Sequence, residues 1–132
     1  MSVTIPEKLK DLLSPEKKAF AHVALVKKDG VPQVTTTWFD WDGTHININT
    51  TRGHLKDKLM RRRPLVAISI NDPDNPYRHI EILGRVVAED EAGGRAMIDH
   101  LSQKYRGRNY DDWYQGETRV TYKILPEQAT PK

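Results

Sequence analysis

Apolar and polar positions alternate in short blocks along most of the 132-residue chain. Residues 20–26 are rich in apolar and β-branched side chains and stop at Lys28-Asp29-Gly30, a tight-turn sequence. Residues 31–41 follow, so the two segments predict a β-hairpin. Asp42-Gly43 supplies a second turn, and residues 45–50 then alternate with period two, the pattern of a strand with one buried face. Residues 65–70, 77–87 and 119–125 read as three more strands, with a bulge at Gly84 and a loop over residues 71–76. Six strands joined mostly as hairpins, without the crossovers a parallel sheet needs, predict a mainly β (α+β) fold built on an antiparallel barrel.

Three segments switch to helical spacing. Residues 5–18 read as a short helix or two, with Pro6 and Ser14-Pro15 as start signals. Residues 53–63 place Leu55 and Leu59 four apart and are stopped by Pro64. Residues 92–105 carry an apolar stripe at Ala96, Met97, Leu101 and Tyr105 behind the acids Glu89-Asp90-Glu91. Residues 106–117 read as a polar loop holding Tyr110, Trp113 and Tyr114. No repeat or linker divides the chain, so residues 1–132 are expected to form one domain.

Composition changes the picture mainly by exclusion. The absence of cysteine removes disulfides, thiolate catalysis and cysteine-ligated metals. The longest apolar runs, at 23–26 and 65–68, are far below the ~18 residues of a membrane span. The first eighteen residues lack the apolar core of a secretory signal, so a cytoplasmic protein without a membrane partner is expected. Net charge is +3, but it is unevenly placed. Residues 52–63 hold Arg52, Lys56, Lys58, Arg61, Arg62 and Arg63 against Asp57 alone, a local charge of +5. The other 120 residues hold 15 basic and 17 acidic side chains. One basic segment in an otherwise slightly acidic chain points to an anion site and argues against nucleic acid as a partner.

That segment begins where a predicted strand feeds a predicted helix. Free backbone N–H groups and the helix dipole favour an anion there. Thr50 and Thr51 add hydroxyl donors, and Arg52, Lys56 and Lys58 add cations. The plainer reading is a capped surface helix with solvated charges; Arg61-Arg62-Arg63 at its far end fit simple complementation of the dipole. On the second strand, Gln33, Thr35 and Thr37 share one face, with Val34, Thr36 and Trp38 on the other. These polar groups suit a solvated strand, or could converge with Thr50 and Thr51 on the edge of a planar ligand. The five histidines show no metal-type spacing, and no nucleophile–base motif is present, so neither a metal site nor a catalytic side chain is assigned. Trp113 and Tyr114 could cover a ligand, meet a partner subunit or anchor a small cluster inward.

Asn75-Pro76-Tyr77-Arg78-His79-Ile80-Glu81-Ile82-Leu83-Gly84-Arg85-Val86-Val87 resembles the central strand of the pyridoxamine 5'-phosphate oxidase-like split-barrel superfamily. Asp29-Gly30-Val31-Pro32-Gln33-Val34, Asn49-Thr50-Thr51-Arg52-Gly53 with Lys56, and Arg61-Arg62-Arg63-Pro64-Leu65-Val66-Ala67 fit the same pattern. So do His100-Leu101-Ser102-Gln103-Lys104-Tyr105 and Gly116-Glu117-Thr118-Arg119-Val120. The likeness extends over residues 20–127 and is nearest the branch that uses the deazaflavin coenzyme F420. It implies a six-stranded antiparallel split β-barrel with a few short flanking helices, paired as a homodimer with cofactor sites at the interface. It further implies an oxidoreductase that moves a hydride between the cofactor and an unsaturated small-molecule substrate. Thr50, Thr51, Arg52, Lys56 and Lys58 would hold the phosphate; Gln33, Thr35, Thr36 and Thr37 would line the ring. Arg78 and His79, or alternatively the region of Trp113, would come from the second chain. Relatives that use FMN often carry an extra basic residue on the second strand, and residues 33–38 have none. F420 is therefore the expected cofactor, with FMN chemistry or a non-catalytic flavin or tetrapyrrole carrier as alternatives.

Overall fold

The computed structural model describes residues 3–111 and 116–131. A 3-10 helix, Glu7–Leu13, opens the chain and buries Leu9, Leu12 and Leu13. The strands are β1 (Ala21–Val26), β2 (Pro32–Thr37), β3 (Asp40–Trp41), β4 (Ile46–Thr51), β5 (Leu65–Asp72), β6 (Asn75–Asp90) and β7 (Arg119–Pro131). Helix α1 (Leu55–Arg62) separates β4 from β5, and α2 (Gly94–Arg106) separates β6 from β7. The strands form one antiparallel sheet in the order β2-β1-β5-β6-β7-β4-β3, curled into a split barrel.

Seven strands replace the six expected because residues 31–41 are not one strand: the chain leaves β2 after Thr37 and pairs again only as the short β3 against β4. The 71–76 segment is also tighter than a loop. Asp72 and Asn75 stay paired across a two-residue turn, because buried Asp72 is held by Arg78 and by Lys17 at 3.2 Å. At Gly84 the β6–β7 register shifts, as a bulge requires. A Cβ there would lie 2.6 Å from Ile124.

The core follows the period-two pattern. Ala21, Val23 and Leu25 of β1, Val66, Ile68 and Ile70 of β5, and Val120, Tyr122 and Ile124 of β7 all face inward. Strand β4 differs from its expectation of one buried face, since all six of its residues are buried. Ile46 and Ile48 join the core, while Asn49 donates to the Gly94 carbonyl of α2 at 2.9 Å. Gly94 is needed for that approach: a Cβ there would sit 2.0 Å from the Arg119 carbonyl oxygen. Helix α2 thus covers the second face of β4. Among the described residues no helix is long and apolar enough to cross a membrane.

Candidate functional site

The junction between β4 and α1 is built by a few local bonds. Thr51 ends the strand, Arg52 N–H donates to Thr118 O at 2.9 Å, and Gly53 turns the chain at φ +91°. An L side chain rarely adopts that φ, so glycine is required at this turn. His54 N–H donates to Thr51 O at 3.1 Å and α1 begins. Lys56, in the first turn, reaches back over the sheet until its Nζ lies 3.3 Å from Thr37 Oγ1 of β2. Strand β7 delivers the other half of the site, because Arg119 pairs in register with Thr51. Arg119 Nε donates to Asn49 Oδ1 at 2.7 Å, and one amino group donates to Thr51 Oγ1 at 2.8 Å and Glu117 Oε1 at 3.3 Å. The guanidinium lies over the Tyr110 ring at 5.2 Å. Its second amino group has no hydrogen-bond partner among the described residues.

These groups line a cleft of about 440 Å³. It brings together five residues expected from sequence, Thr36, Thr37, Thr50, Thr51 and Lys56. It adds Asn49, His54, Tyr110, Glu117 and Arg119, which the sequence reading did not assign. Burial and the nearby charge of Arg119 both lower the Lys56 pKa below the usual lysine value of 10.5. Two cations face the same space, and Lys56 has no carboxylate partner among the described residues. An anion there would stabilise both.

Phe20 and Trp38 form another part of the cleft wall. Tyr105 stacks on each of them, with centroids 5.2 Å apart in both pairs and interplanar angles of 23° and 8°. The Tyr105 hydroxyl is fixed by donating to Ala19 O and accepting from Phe39 N at 3.3 Å. Burial pushes its pKa up to about 12. Beside it, Lys104 Nζ donates to Phe39 O at 2.6 Å and lies 4.0 Å from the Phe39 ring centroid. Burial brings the Lys104 amine down to about 8, against the opposing pull of Asp40. The aromatic wall is therefore held rigid from behind. Cations, hydroxyls and flat apolar faces share one cleft, which suits a planar ligand bearing an acidic group.

The remaining expected residues lie elsewhere. Arg52 is taken up by three carboxylates, Asp57 at 2.8 Å, Glu89 at 2.8 Å and Glu91 at 2.7 Å, and also donates to Tyr122 at 3.2 Å. Its guanidinium is held charged by those partners and fixes the junction rather than facing the cleft. Arg78 binds Asp11, Asp72 and the Lys8 carbonyl, tying the opening helix to β6. Lys58 faces a separate groove with Lys27, Lys28 and Arg62. Gln33 and Thr35 lie on the half-buried face of β2 and do not line the cleft. Trp113 lies outside the described residues. A further groove of about 370 Å³ on the outer sheet face, lined by Val34, Ala67, Leu83 and others, has no lysine or arginine in its wall.

Fold and cleft together define a split barrel with Lys56 and Arg119 sharing one cleft where a strand enters a helix. Comparison with solved structures finds 32% identity to an F420 reductase, covering 96% of this chain and 98% of that one, with a TM-score of 0.85. A candidate pyridoxamine 5'-phosphate oxidase from Listeria innocua is 26% identical over 95% of both chains, with a TM-score of 0.70. A pyridoxamine 5'-phosphate oxidase-related, FMN-binding protein from Nostoc punctiforme shares the fold at 14% identity, covering 99% of this chain and 86% of that one, with a TM-score of 0.69. No protein-family model and no curated protein matches the sequence. The chain belongs to the pyridoxamine 5'-phosphate oxidase-like split-barrel superfamily.

Proposed function

We propose that this chain is an oxidoreductase of the flavin and deazaflavin type that uses coenzyme F420 to deliver a hydride to an unsaturated organic substrate. The observation that carries the reading is Lys56, a half-buried cation beside Arg119 with no carboxylate of its own. Such a pair is stabilised by a phosphate. The 32% identity to an F420 reductase over nearly the whole chain supports the choice of cofactor, as does the lack of a basic residue over 33–38.

Lys56 and Arg119 hold the phosphate, with the hydroxyls of Thr50 and Thr51 as further donors. Phe20 and Trp38 offer rigid flat faces to a tricyclic ring, and Thr36 and Thr37 offer polar edges. When bound, the deazaflavin supplies the two-electron, hydride-carrying centre. The protein's part is to orient that ring and to exclude water around it.

The chain acts as a homodimer in this reading. Val34 is 68% exposed and Leu83 51%, and both border the outer groove of the sheet, whose wall has Glu81 as its one acid and no lysine or arginine. An apolar face of that kind marks an interface. Light scattering is expected to give the mass of two chains, and a clean monomer would remove the dimer from the proposal.

The direct test of the cofactor is titration of the purified protein with F420 and, separately, with FMN. Saturable binding of F420 that disappears in Lys56→Ala is expected, together with turnover of an α,β-unsaturated acceptor. Tight FMN binding without F420 binding would overturn the cofactor. F420 binding without turnover of any acceptor would indicate a carrier.

A further inference from the structure

Glu117 is out of place in an anion cradle. Its side chain is only 7% exposed, yet it lines the cleft beside Lys56 and Arg119. Its Oε1 accepts from Thr51 Oγ1 at 2.6 Å and from Arg119 at 3.3 Å, the same groups a phosphate would use. Its Oε2 is buried without a hydrogen-bond partner among the described residues, and no second cation there pairs with the carboxylate. The lysines, arginines and acids lining the cleft are Lys56, Arg119 and Glu117, so a single net positive charge remains. Arg52 adds nothing to that balance, because Asp57, Glu89 and Glu91 hold it.

A cradle with one excess charge matches a ligand with one charge. A phosphodiester carries a single negative charge at all ordinary pH. A terminal phosphomonoester carries roughly one and a half to two at pH 7, its second pKa being about 6. The second charge would meet Glu117 in a partly desolvated site, where like charges repel strongly. We infer that Glu117 is a specificity residue that makes the cradle select a phosphodiester over a terminal phosphomonoester. This rests on the anion-site reading above and deepens it. It also gives a residue-level reason for a cofactor with a bridged phosphate to be preferred over FMN.

Two probes with the same ring separate the effect of charge. FMN ends in a phosphomonoester, whereas riboflavin 4',5'-cyclic phosphate is a diester with one charge. Their dissociation constants are measured by fluorescence at pH 7.5 for the wild type, Glu117→Gln and Glu117→Asp, with a melting curve for each protein. The wild type is expected to bind the cyclic ester more tightly. Glu117→Gln is expected to shift the ratio of the two constants toward FMN by about tenfold or more at low salt, and less at high salt. Glu117→Asp keeps the charge and should keep the wild-type preference. A wild type that binds FMN more tightly than the cyclic ester overturns the proposal without any variant. Equal weakening of both ligands in Glu117→Gln also overturns it, and reduces Glu117 to a support for Arg119. If neither ligand nor F420 binds any of the proteins, the anion-site reading itself fails.

Discussion

Arg119 pairs across the β4–β7 ladder with Thr51, the residue just before Arg52. The two arginines thus share a neighbourhood and have opposite fates. Arg52 meets Asp57, Glu89 and Glu91, and its nitrogens are all engaged by carboxylates. Arg119 meets one carboxylate, which it shares with Thr51, and keeps an amino group for something else. Next to it, Lys56 has a hydroxyl and no acid. A paired cation holds a fold together, and an under-paired, partly desolvated one waits for a ligand. Charge density along the sequence cannot separate these cases, because Glu89 and Glu91 come from the end of β6 and the residue just after it, and Glu117 from the residues before β7.

The comparison breaks most visibly at its structural pole. Asp57 accepts from Gly53 N–H at 2.9 Å, from Arg52 and from the Tyr122 hydroxyl. Burial pushes its carboxyl up, but those bonds outweigh it and leave the pKa below the ordinary value. Asp57→Ala removes the carboxylate that these three donors share, leaving Arg52 to Glu89 and Glu91, and is expected to cost about 3 kcal/mol of stability, measured by urea unfolding. If Asp57→Ala melts like the wild type, Arg52 is not a structural hub.

At the other pole, Lys56→Met removes a desolvated charge that nothing neutralises. Stability is expected to hold or to rise slightly, while F420 affinity falls about a hundredfold, or ~2.7 kcal/mol, by fluorescence titration. In the wild type, the anion favours the protonated amine. Affinity should therefore fall as pH rises through the lowered Lys56 pKa, before the ordinary lysine value of 10.5 is reached.

A smaller effect separates binding from folding behind the aromatic wall. Lys104 titrates at about 8 when folded and near 10.5 when unfolded. Between those values the unfolded chain holds a proton that the folded chain has released, so the Lys104 contribution rises with pH. Tyr105, held protonated up to about 12, works against this above pH 10, where the unfolded chain ionises first. Lys104→Met should flatten the gain between pH 8 and 10 in a series of unfolding curves. An unchanged slope would place the titrating group elsewhere.

The smallest expected effect is at Arg78, where the side chain is tied to Asp11 and Asp72. Arg78→Ala should change F420 affinity by no more than about twofold. A tenfold loss would mean that this arginine reaches a cofactor after all.

Much of the barrel was legible because strand periodicity is a local property. Residues 20–26 and 65–70 are rich in apolar side chains, residues 119–125 place Val120, Tyr122 and Ile124 on one face, and each became a core strand. The Gly84 bulge could be read for the same reason, as a residue without a side chain in the middle of a strand. The β2–β3 break was not legible, since nothing in Thr37-Trp38-Phe39 signals a turn; the pull comes from Tyr105 and Lys104, both bonded to Phe39. Lys56, Thr50 and Thr51 could be placed together because a strand-to-helix junction is short. Arg119 and Glu117 lie more than sixty residues further on, and only the β4–β7 register brings them to Thr51.

The sequence by itself determined most of the strands, the helix stop at Pro64 and the presence of a basic junction, because each depends on neighbours within a few residues. Only the tertiary structure decided which cations remain under-paired. Charge neutralisation acts through space, and two of the three acids that hold Arg52 but leave Lys56 open, Glu89 and Glu91, are distant in the chain.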